Sequence, residues 1–342
     1  MPDVVLTANG ERFAGWDRVR LTRSIEALAG AFEVGVSGPA AWIPPGAACT
    51  VALDGEVLLT GWVDQVAVRY GPSSHQVTVS GRDRTGDLVD CSAAYGSGQW
   101  RAPRTLDQIA RDLLRPYGIE VVVDADVGSA YPSAAIQAGE TVFETLDRLA
   151  RLRGVLLTSD GLGRLVLTRA SSRRIATPLV RGENILEADA TISHKDRHSA
   201  YRVLAQSPGG DGSTPEQNAH ASAAASDPGV ARHRPLVILA EDRADAAACR
   251  ARAEWEAAVR YGRSARAVVT VQGWRHADGL WAPNRLVRVR DEWLRLDGDM
   301  LVVAVAYLLD EQGSRTQLTL ARPEAYTPAP PPAPKEEADP WS

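Results

Sequence analysis

The sequence predicts an α+β protein that is mainly β, beginning as a β-barrel or sandwich and ending in a second β domain, with a small α/β region inserted between them. Three observations predict it. Short segments that alternate apolar and polar residues, joined by turn dipeptides, fill the first 90 residues and return after residue 191. Between them the apolar period lengthens from two to about 3.6 at two capping-box sequences. With 342 residues the chain exceeds one ordinary core, so more than one domain is expected.

In the first domain, 1–90, Val19, Leu21, Arg23 and Ile25 alternate with Arg20, Thr22, Ser24 and Glu26. Phe32, Val34 and Val36 repeat the pattern, so two antiparallel strands are expected before Gly38-Pro39. The stretch Val51 to Cys91 then reads as two hairpins. Asp54-Gly55 tolerates positive φ at both central positions of a type I′ turn and returns the chain through Val57 to Leu59. In the second hairpin Val66, Val68 and Tyr70 share one face, Gly71 to Ser74 turn the chain, and Val77 and Val79 bring it back. About six strands are then enough to close a barrel.

The inserted region, 91–190, holds two helix–strand units. Thr105 and Gln108 form a capping box ahead of the stripe Leu106, Ile109, Ala110, Leu113 and Leu114, with Gly118 as stop and a strand at Ile119 to Val123. Thr141 and Glu144 repeat the device ahead of Val142, Leu146, Leu149 and Ala150. Gly154 ends that helix, Val155 to Leu157 begin a strand, and Asp160 to Gly163 turn it into Leu165 to Thr168.

The second β domain, 191–322, starts with a strand at Tyr201 to Ala205. Gly, Ser, Ala, Asp and Pro then remove the periodicity over 206–235, which reads as a mobile loop. A helix is expected over 242–261, with Ala244, Ala247, Ala248, Ala251, Trp255 and Val259 available to pack. Strands follow at 267–271, 286–289, 301–309 and 317–320, with Asp297-Gly298 turning one hairpin. Residues 323–342 are Pro-rich and read as a disordered tail.

Composition excludes several classes. A net charge of -5 argues against tight nucleic-acid binding, because phosphate neutralisation needs clustered Lys and Arg; it leaves room for a channel that nucleic acid merely passes through. The longest apolar run, Met300 to Leu309, falls well short of the roughly 20 residues a membrane helix needs, so no membrane insertion is expected. The start, Met1 to Val5, lacks the pattern of a signal peptide, which predicts synthesis and retention in a cytoplasm. Cys49, Cys91 and Cys249 are too scattered for a disulfide framework or a zinc site.

The search for chemistry returns no nucleophile elbow, zinc-protease motif, P-loop or dinucleotide fingerprint, so neither catalysis nor a cofactor is expected. His194 and His198 lead into a strand, where a spacing of four does not converge, and read as solvated hinge residues. Asp83, Asp87 and Asp90, interleaved with Arg82 and Arg84, read as a surface charge network rather than an acid/base cluster. Of the nine tryptophans, Trp42, Trp62, Trp274 and Trp281 are candidate subunit or partner contacts.

Several motifs resemble one family. Arg23-Ser-Ile-Glu26, Ala29-Gly-Ala-Phe32, Gly61-Trp-Val63, Val79-Ser-Gly-Arg-Asp-Arg84 and Asp87-Leu-Val-Asp90 look like the N-terminal part of the Mu-type contractile-tail phage baseplate hub family. Gly273-Trp274, Leu280-Trp-Ala-Pro-Asn284, Val287-Arg-Val-Arg-Asp291, Gly313 to Leu320 and Pro323-Glu-Ala-Tyr326 look like its C-terminal part. The resemblance implies a non-enzymatic structural protein of the virion tail baseplate, or of a tail-like particle, assembled in the bacterial host cytoplasm. It implies that both β domains are barrels similar to tail-tube protein, and that a homotrimer forms a pseudo-hexameric ring joining the central spike protein to the tail tube or tube-initiator protein. Baseplate wedge and tape-measure proteins are further implied neighbours.

A second class fits the inserted region. Ala138 to Leu157, with its Gly139-Glu140-Thr141 start, is similar to a LysM-type glycan-binding module, which would make the chain a peptidoglycan-binding cell-wall protein or a glycan hydrolase. Hydrolysis needs two carboxylates at a defined separation, and no such pair stands out.

Overall fold

The computed structural model describes residues 3–38, 42–205, 221–240 and 246–328. It divides into two compact units, Met1–Ala190 with Ala267–Ala321, and Thr191–Arg266 with Arg322–Ser342. The fold is mainly β, as the alternation predicts.

A 13-stranded sheet organises the first unit. Eight of its strands matter most: β1 Arg18–Ser24, β2 Ala31–Ser37, β3 Glu56–Gly71, β4 Ser74–Asp83, β5 Ile185–Ile192, β6 Ala265–Gln272, β7 Leu296–Asp310 and β8 Gly313–Ala321. They lie in the order β5-β6-β8-β7-β1-β2-β4-β3. β5 and β6 cross the division between the units. Beyond β3 the sheet continues through Ala48–Leu53 and Val4–Ala8 to Glu11–Phe13, while Leu286–Asp291 pairs with β7 and with Leu179–Val180. One face buries Val19, Leu21, Phe32, Val34, Val63, Val79, Val305, Tyr307, Leu318 and Leu320, the alternate positions of their strands.

Among the described residues this strand path has two ends, and no barrel closes. Strands expected in separate barrels instead share one sheet through the antiparallel pairing of β1 with β7, from Val19↔Leu309 to Ser24↔Ala304. Alternation specifies which face of a strand is buried. It does not specify the neighbour at its edge.

Two parts of the sheet repeat one device. The first halves of β3 and β7 pair with the strand before them, Ala48–Leu53 and Leu286–Asp291. Each long strand then carries a bulge, between Val63 and Gln65 in β3 and between Val302 and Ala304 in β7. Each ends in a tight turn, where Gly71 faces Ser74 and Asp310 faces Gly313. The next strand along is also placed alike: Gly38 N–H donates to the His75 carbonyl and Gly273 N–H to the Ser314 carbonyl, both at 2.9 Å. In sheet order β3-β4-β2-β1 therefore corresponds to β7-β8-β6-β5.

Turn chemistry accounts for much of this. Asp54 and Gly55 have φ of 48° and 82°, the left-handed pair a type I′ turn needs. Asn9 and Gly10 do the same at 49° and 86° between Val4–Ala8 and Glu11–Phe13, a hairpin the reading of residues 1–90 missed. The expected turn at Asp297-Gly298 is corrected: both residues lie in β7, opposite Arg290 and Val289. The chain turns earlier, where the Asp291 carboxylate accepts from the Trp293 and Leu294 N–H groups and Arg295 takes a positive φ.

The α/β region packs Leu106–Leu114 and Val142–Arg151 with a sheet of Leu156–Ser159, Leu165–Thr168 and Val121–Val123. Both predicted stripes are buried. Thr141 accepts from the Glu144 N–H at 3.1 Å while Glu144 accepts from the Thr141 N–H at 2.8 Å, the reciprocal capping bonds. Leu179–Val180 and β5 belong to the main sheet, so this packed region ends near Thr168.

Before the second of these helices, Glu140 accepts from Arg148 at 2.7 and 2.8 Å, from the Gln137 N–H and from the Thr145 hydroxyl. Arg148 chiefly, against some burial, holds its carboxyl down to about 2. A depressed acid stabilises the fold above its unfolded pKa and loses that contribution as pH falls through the folded one. Glu140→Gln should therefore cost about 1–3 kcal/mol at neutral pH. It should also remove the part of the acid-induced loss that falls between about pH 4.5 and about pH 2, read by urea unfolding at stepped pH. Equal losses for both proteins across that range would rule this out.

In the second unit Ala221–Ser226, Ala200–Ala205 and Pro235–Leu239 form a sheet, on which the helix Ala246–Arg263 packs. The expected loop 206–235 is thus corrected over its second half. The run Ala221 to Ser226 holds only alanine and serine, too little contrast to read as a strand, yet Ala221, Ala223 and Ala225 pack against a core that includes Cys249 and Ala253 of the helix. Residues 206–220 lie outside the described residues, as do Asp242 to Asp245 of the expected helix. Its buried face is Cys249, Ala253, Glu256, Val259 and Gly262; of the residues expected to pack, Val259 is buried, Ala248, Ala251 and Trp255 are half-buried, Ala247 is exposed, and Ala244 lies outside the described residues. A Cβ on Gly262 would lie 2.1 Å from the Ala325 nitrogen, which is how closely this helix meets the turn Pro323–Tyr326. The expected disorder from Pro323 is corrected there; residues 329–342 lie outside the described residues.

Candidate assembly interface

The repeated device has one asymmetry. The second half of β7 pairs with β1 across the middle of the sheet, whereas residues 64–71 of β3 pair only with β4 among the described residues. This arm leaves a free edge. Val66 packs against the core, and Val68 and Tyr70 share its face by alternation. Tyr70 is 77% exposed, its ring stacked on His75 at 5.8 Å between centroids. Ala67 and Arg69 are exposed on the opposite face.

The other end of the eight-strand run is β5. Apart from a bridge between Arg181 and Ile185, it pairs only with β6 among the described residues. Ile185, at its start, and Ala190 pack against the core, while Leu186, Glu187, Ala188 and Asp189 are exposed. Near the start of β5, Trp293 is 79% exposed and lies under the Arg181 guanidinium at 4.3 Å. Trp and Arg are among the residues enriched at the energetic centres of interfaces.

Two polar junctions, one buried and one half-buried, hold the α/β region to the sheet. Asp83 Oδ2 accepts from the Gly30 N–H at 2.7 Å and the Ser159 hydroxyl at 2.5 Å, and Oδ1 accepts from the Thr85 N–H and hydroxyl. Burial pushes this carboxyl up while the four donors pull it down. At the other end Asn284, with φ of 57°, accepts from the Ser171 N–H and donates to the Arg169 carbonyl at 2.9 Å. The reading of Asp83 as a surface charge is therefore corrected. Asp90 does fit that reading, since Arg82 bridges Asp90 at 2.6 Å and Asp64 at 2.9 Å and is held charged by both.

The tryptophans divide. Trp42 is 65% exposed and Trp62 half-exposed beside Arg82. Trp274 and Trp281 are buried in the main core, with Trp274 donating to the Leu308 carbonyl and the Trp281 carbonyl accepting from Tyr307, so their place among candidate contacts is corrected. His194 lies against Arg197, and the His198 N–H donates to the Tyr201 hydroxyl, so the two histidines serve different contacts. Among the described residues no His, Cys, Asp and Glu group could hold a metal ion. Sequence reasoning missed the 64–71 arm, β5 and Trp293 as surface features, because a free edge leaves no mark on the residues that form it.

Comparison with known proteins gives four family matches. Residues 3–83 match the N-terminal domain of Mu phage baseplate assembly protein GpP-like proteins, and 85–169 the second domain of baseplate hub protein gp44-like proteins. Residues 197–255 match the third domain of NMB1110-like tail proteins, and 245–329 the fourth domain of Mu phage GpP. The stretch that looks like LysM lies inside the second match. The baseplate hub protein gp44 of Escherichia phage Mu is 38% identical over 337 residues, covering 94% of this chain and 88% of that one.

Among solved structures, the 43 kDa tail protein of prophage MuSo2 from Shewanella oneidensis matches with a TM-score of 0.84 at 38% identity, over 96% of this chain and 100% of that one. The tail protein from Neisseria meningitidis MC58 matches with a TM-score of 0.79 at 26% identity, over 96% and 98%. An E. coli type VI secretion component, described as structurally similar to T4 tail proteins gp27 and gp5, shares the fold alone: TM-score 0.52, 11% identity, 92% and 76% covered. With its domains matched in family order and its length shared with the phage Mu hub, the chain belongs to the Mu-type phage baseplate hub family, structural proteins of the tail rather than enzymes.

Proposed function

We propose that three copies of this chain form a pseudo-hexameric ring in the baseplate of a contractile phage tail or tail-like particle. The ring joins the central spike to the tail tube or its initiator. The internal repeat carries this reading: β3-β4-β2-β1 and β7-β8-β6-β5 are two versions of one strand arrangement, so three chains present six. A trimeric spike and a hexameric tube can then each meet a matching symmetry. The open strand path supports it too, since an exposed sheet edge is a liability that assembly removes. In this reading each half of the sheet acts as a tail-tube-like domain whose barrel is completed by a neighbour. The parts 1–90 and 191–322 supply the ring, and the helices of 91–190 sit at its periphery. Trp42 and Trp62 are contacts to a subunit or partner, and nucleic acid only passes through.

Three chains of 36.7 kDa give about 110 kDa. Light scattering should return that mass, and negative-stain microscopy of the same sample should show a ring with a central hole. A chain that remains monomeric even when mixed with its spike protein would remove this reading.

A further inference from the structure

We infer that the free edge of β5 in one copy adds, strand to strand and antiparallel, to the 64–71 arm of β3 in the next, with Arg69 set against Glu187 and Asp189. The inference rests on the ring reading above and names the residues of its subunit junction.

The template is inside the chain. β7 corresponds to β3 and β1 to β5, and β7 pairs antiparallel with β1 from residue 304 to residue 309. Matching the two turns places Leu309 with Tyr70, Leu308 with Arg69 and Tyr307 with Val68. Across the middle of the sheet Tyr307 and Leu309 face Leu21 and Val19 on the core side, and Leu308 faces Arg20 on the other side. A junction between copies built the same way, being antiparallel, sets Val68 against Ala190, which packs against the core, and Tyr70 against Ala188, which shares the Ala190 face by alternation. It sets Arg69 against the opposite side, Glu187 and Asp189.

Size and charge both suit that match. Val68 and Tyr70 are large and exposed, and their expected partners are alanines, so the apolar side fills without a clash. Arg69, Glu187 and Asp189 are exposed and make no ion pair among the described residues. The backbone of both edges is likewise unpaired there, as strand addition requires. Because the two edges differ, the contact is head-to-tail, and it closes only when the rotation between copies closes a ring.

The test compares the full-length protein with Arg69→Glu, with Glu187→Arg plus Asp189→Arg, and with all three together, by light scattering over a concentration series. Each reversal should raise the midpoint concentration for the trimer at least about tenfold, and the combined variant should recover most of it, because charge juxtaposition governs such contacts. Recovery also shows that the single variants fold. As a second measurement, Tyr70→Cys with Ala188→Cys, in a Cys91→Ser background, should give cross-linked trimers under oxidation. A wild-type trimer indifferent to every reversal, with no cross-link, overturns this junction and leaves the ring standing. A wild-type monomer at the highest concentration overturns both.

Discussion

Asp227→Ala should lower stability by about 3–5 kcal/mol, the cost of leaving a buried guanidinium without its partner. In the second unit the Asp227 carboxylate accepts from Arg197 Nε at 2.8 Å and Nη2 at 2.7 Å, and both side chains are buried. Gly229 N–H adds a third bond to the carboxylate, and the Arg197 guanidinium lies 5.2 Å from the centroid of the Tyr261 ring. Arg197 holds the Asp227 carboxyl below its ordinary value, so the contribution of the pair is present above the unfolded carboxylate range and is lost as pH falls through the folded pKa. Replacing both partners, Arg197→Met with Asp227→Leu, should recover most of the loss, since no charge is then left in the interior. Urea unfolding of the full chain measures all three proteins. A loss for Asp227→Ala below about 1 kcal/mol would mean that water reaches the guanidinium and the pair behaves as a surface one.

That pair also marks where the sequence stops being readable. Arg197 and Asp227 lie on either side of residues with no hydrophobic contrast, and nothing local in either one points to the other. The strands around Asp54-Gly55 were legible because the turn dipeptide and the alternation agree. The helices after Thr105 and Thr141 were legible because cap, stripe and glycine stop agree. Ala221–Ser226 failed because a strand packed under an alanine-rich helix needs only small side chains, which look like linker. Asp297-Gly298 failed because Asp291 builds a turn from its own carboxylate a few residues earlier. The candidate interface was the least legible part. Val68, Arg69 and Tyr70 were placed on a strand, but whether an edge is covered by the same chain is decided by the whole sheet order. Exposure alone separated Trp42 and Trp62 from the buried Trp274 and Trp281.

Asp83→Ala should cost about 3–5 kcal/mol, because it strips acceptors from two backbone N–H groups and two hydroxyls in a buried junction. The loss should also be local in its consequence. Ser159 belongs to the α/β region, Gly30 to the approach to β2, and Thr85 to the entry of the short helix Gly86–Asp90, so Asp83 ties three segments to the end of β4. Hydrogen exchange should rise first in Leu156–Ser159 and Leu165–Thr168, while β1 and β7 stay protected. Asp83→Asn keeps one carbonyl acceptor and lets its amide donate to a hydroxyl, so its loss should be smaller. The two variants also separate in pH. Burial raises the Asp83 carboxyl, so between its ordinary value of 3.8 and the raised one the folded protein holds a proton that the unfolded chain has released. The stability contributed by this group therefore falls as pH rises through that window, and Asp83→Asn should abolish that fall. If exchange rises evenly over the whole first unit, Asp83 is a general core residue. If it rises in the α/β strands alone, the carboxylate is what holds that region in place against the main sheet.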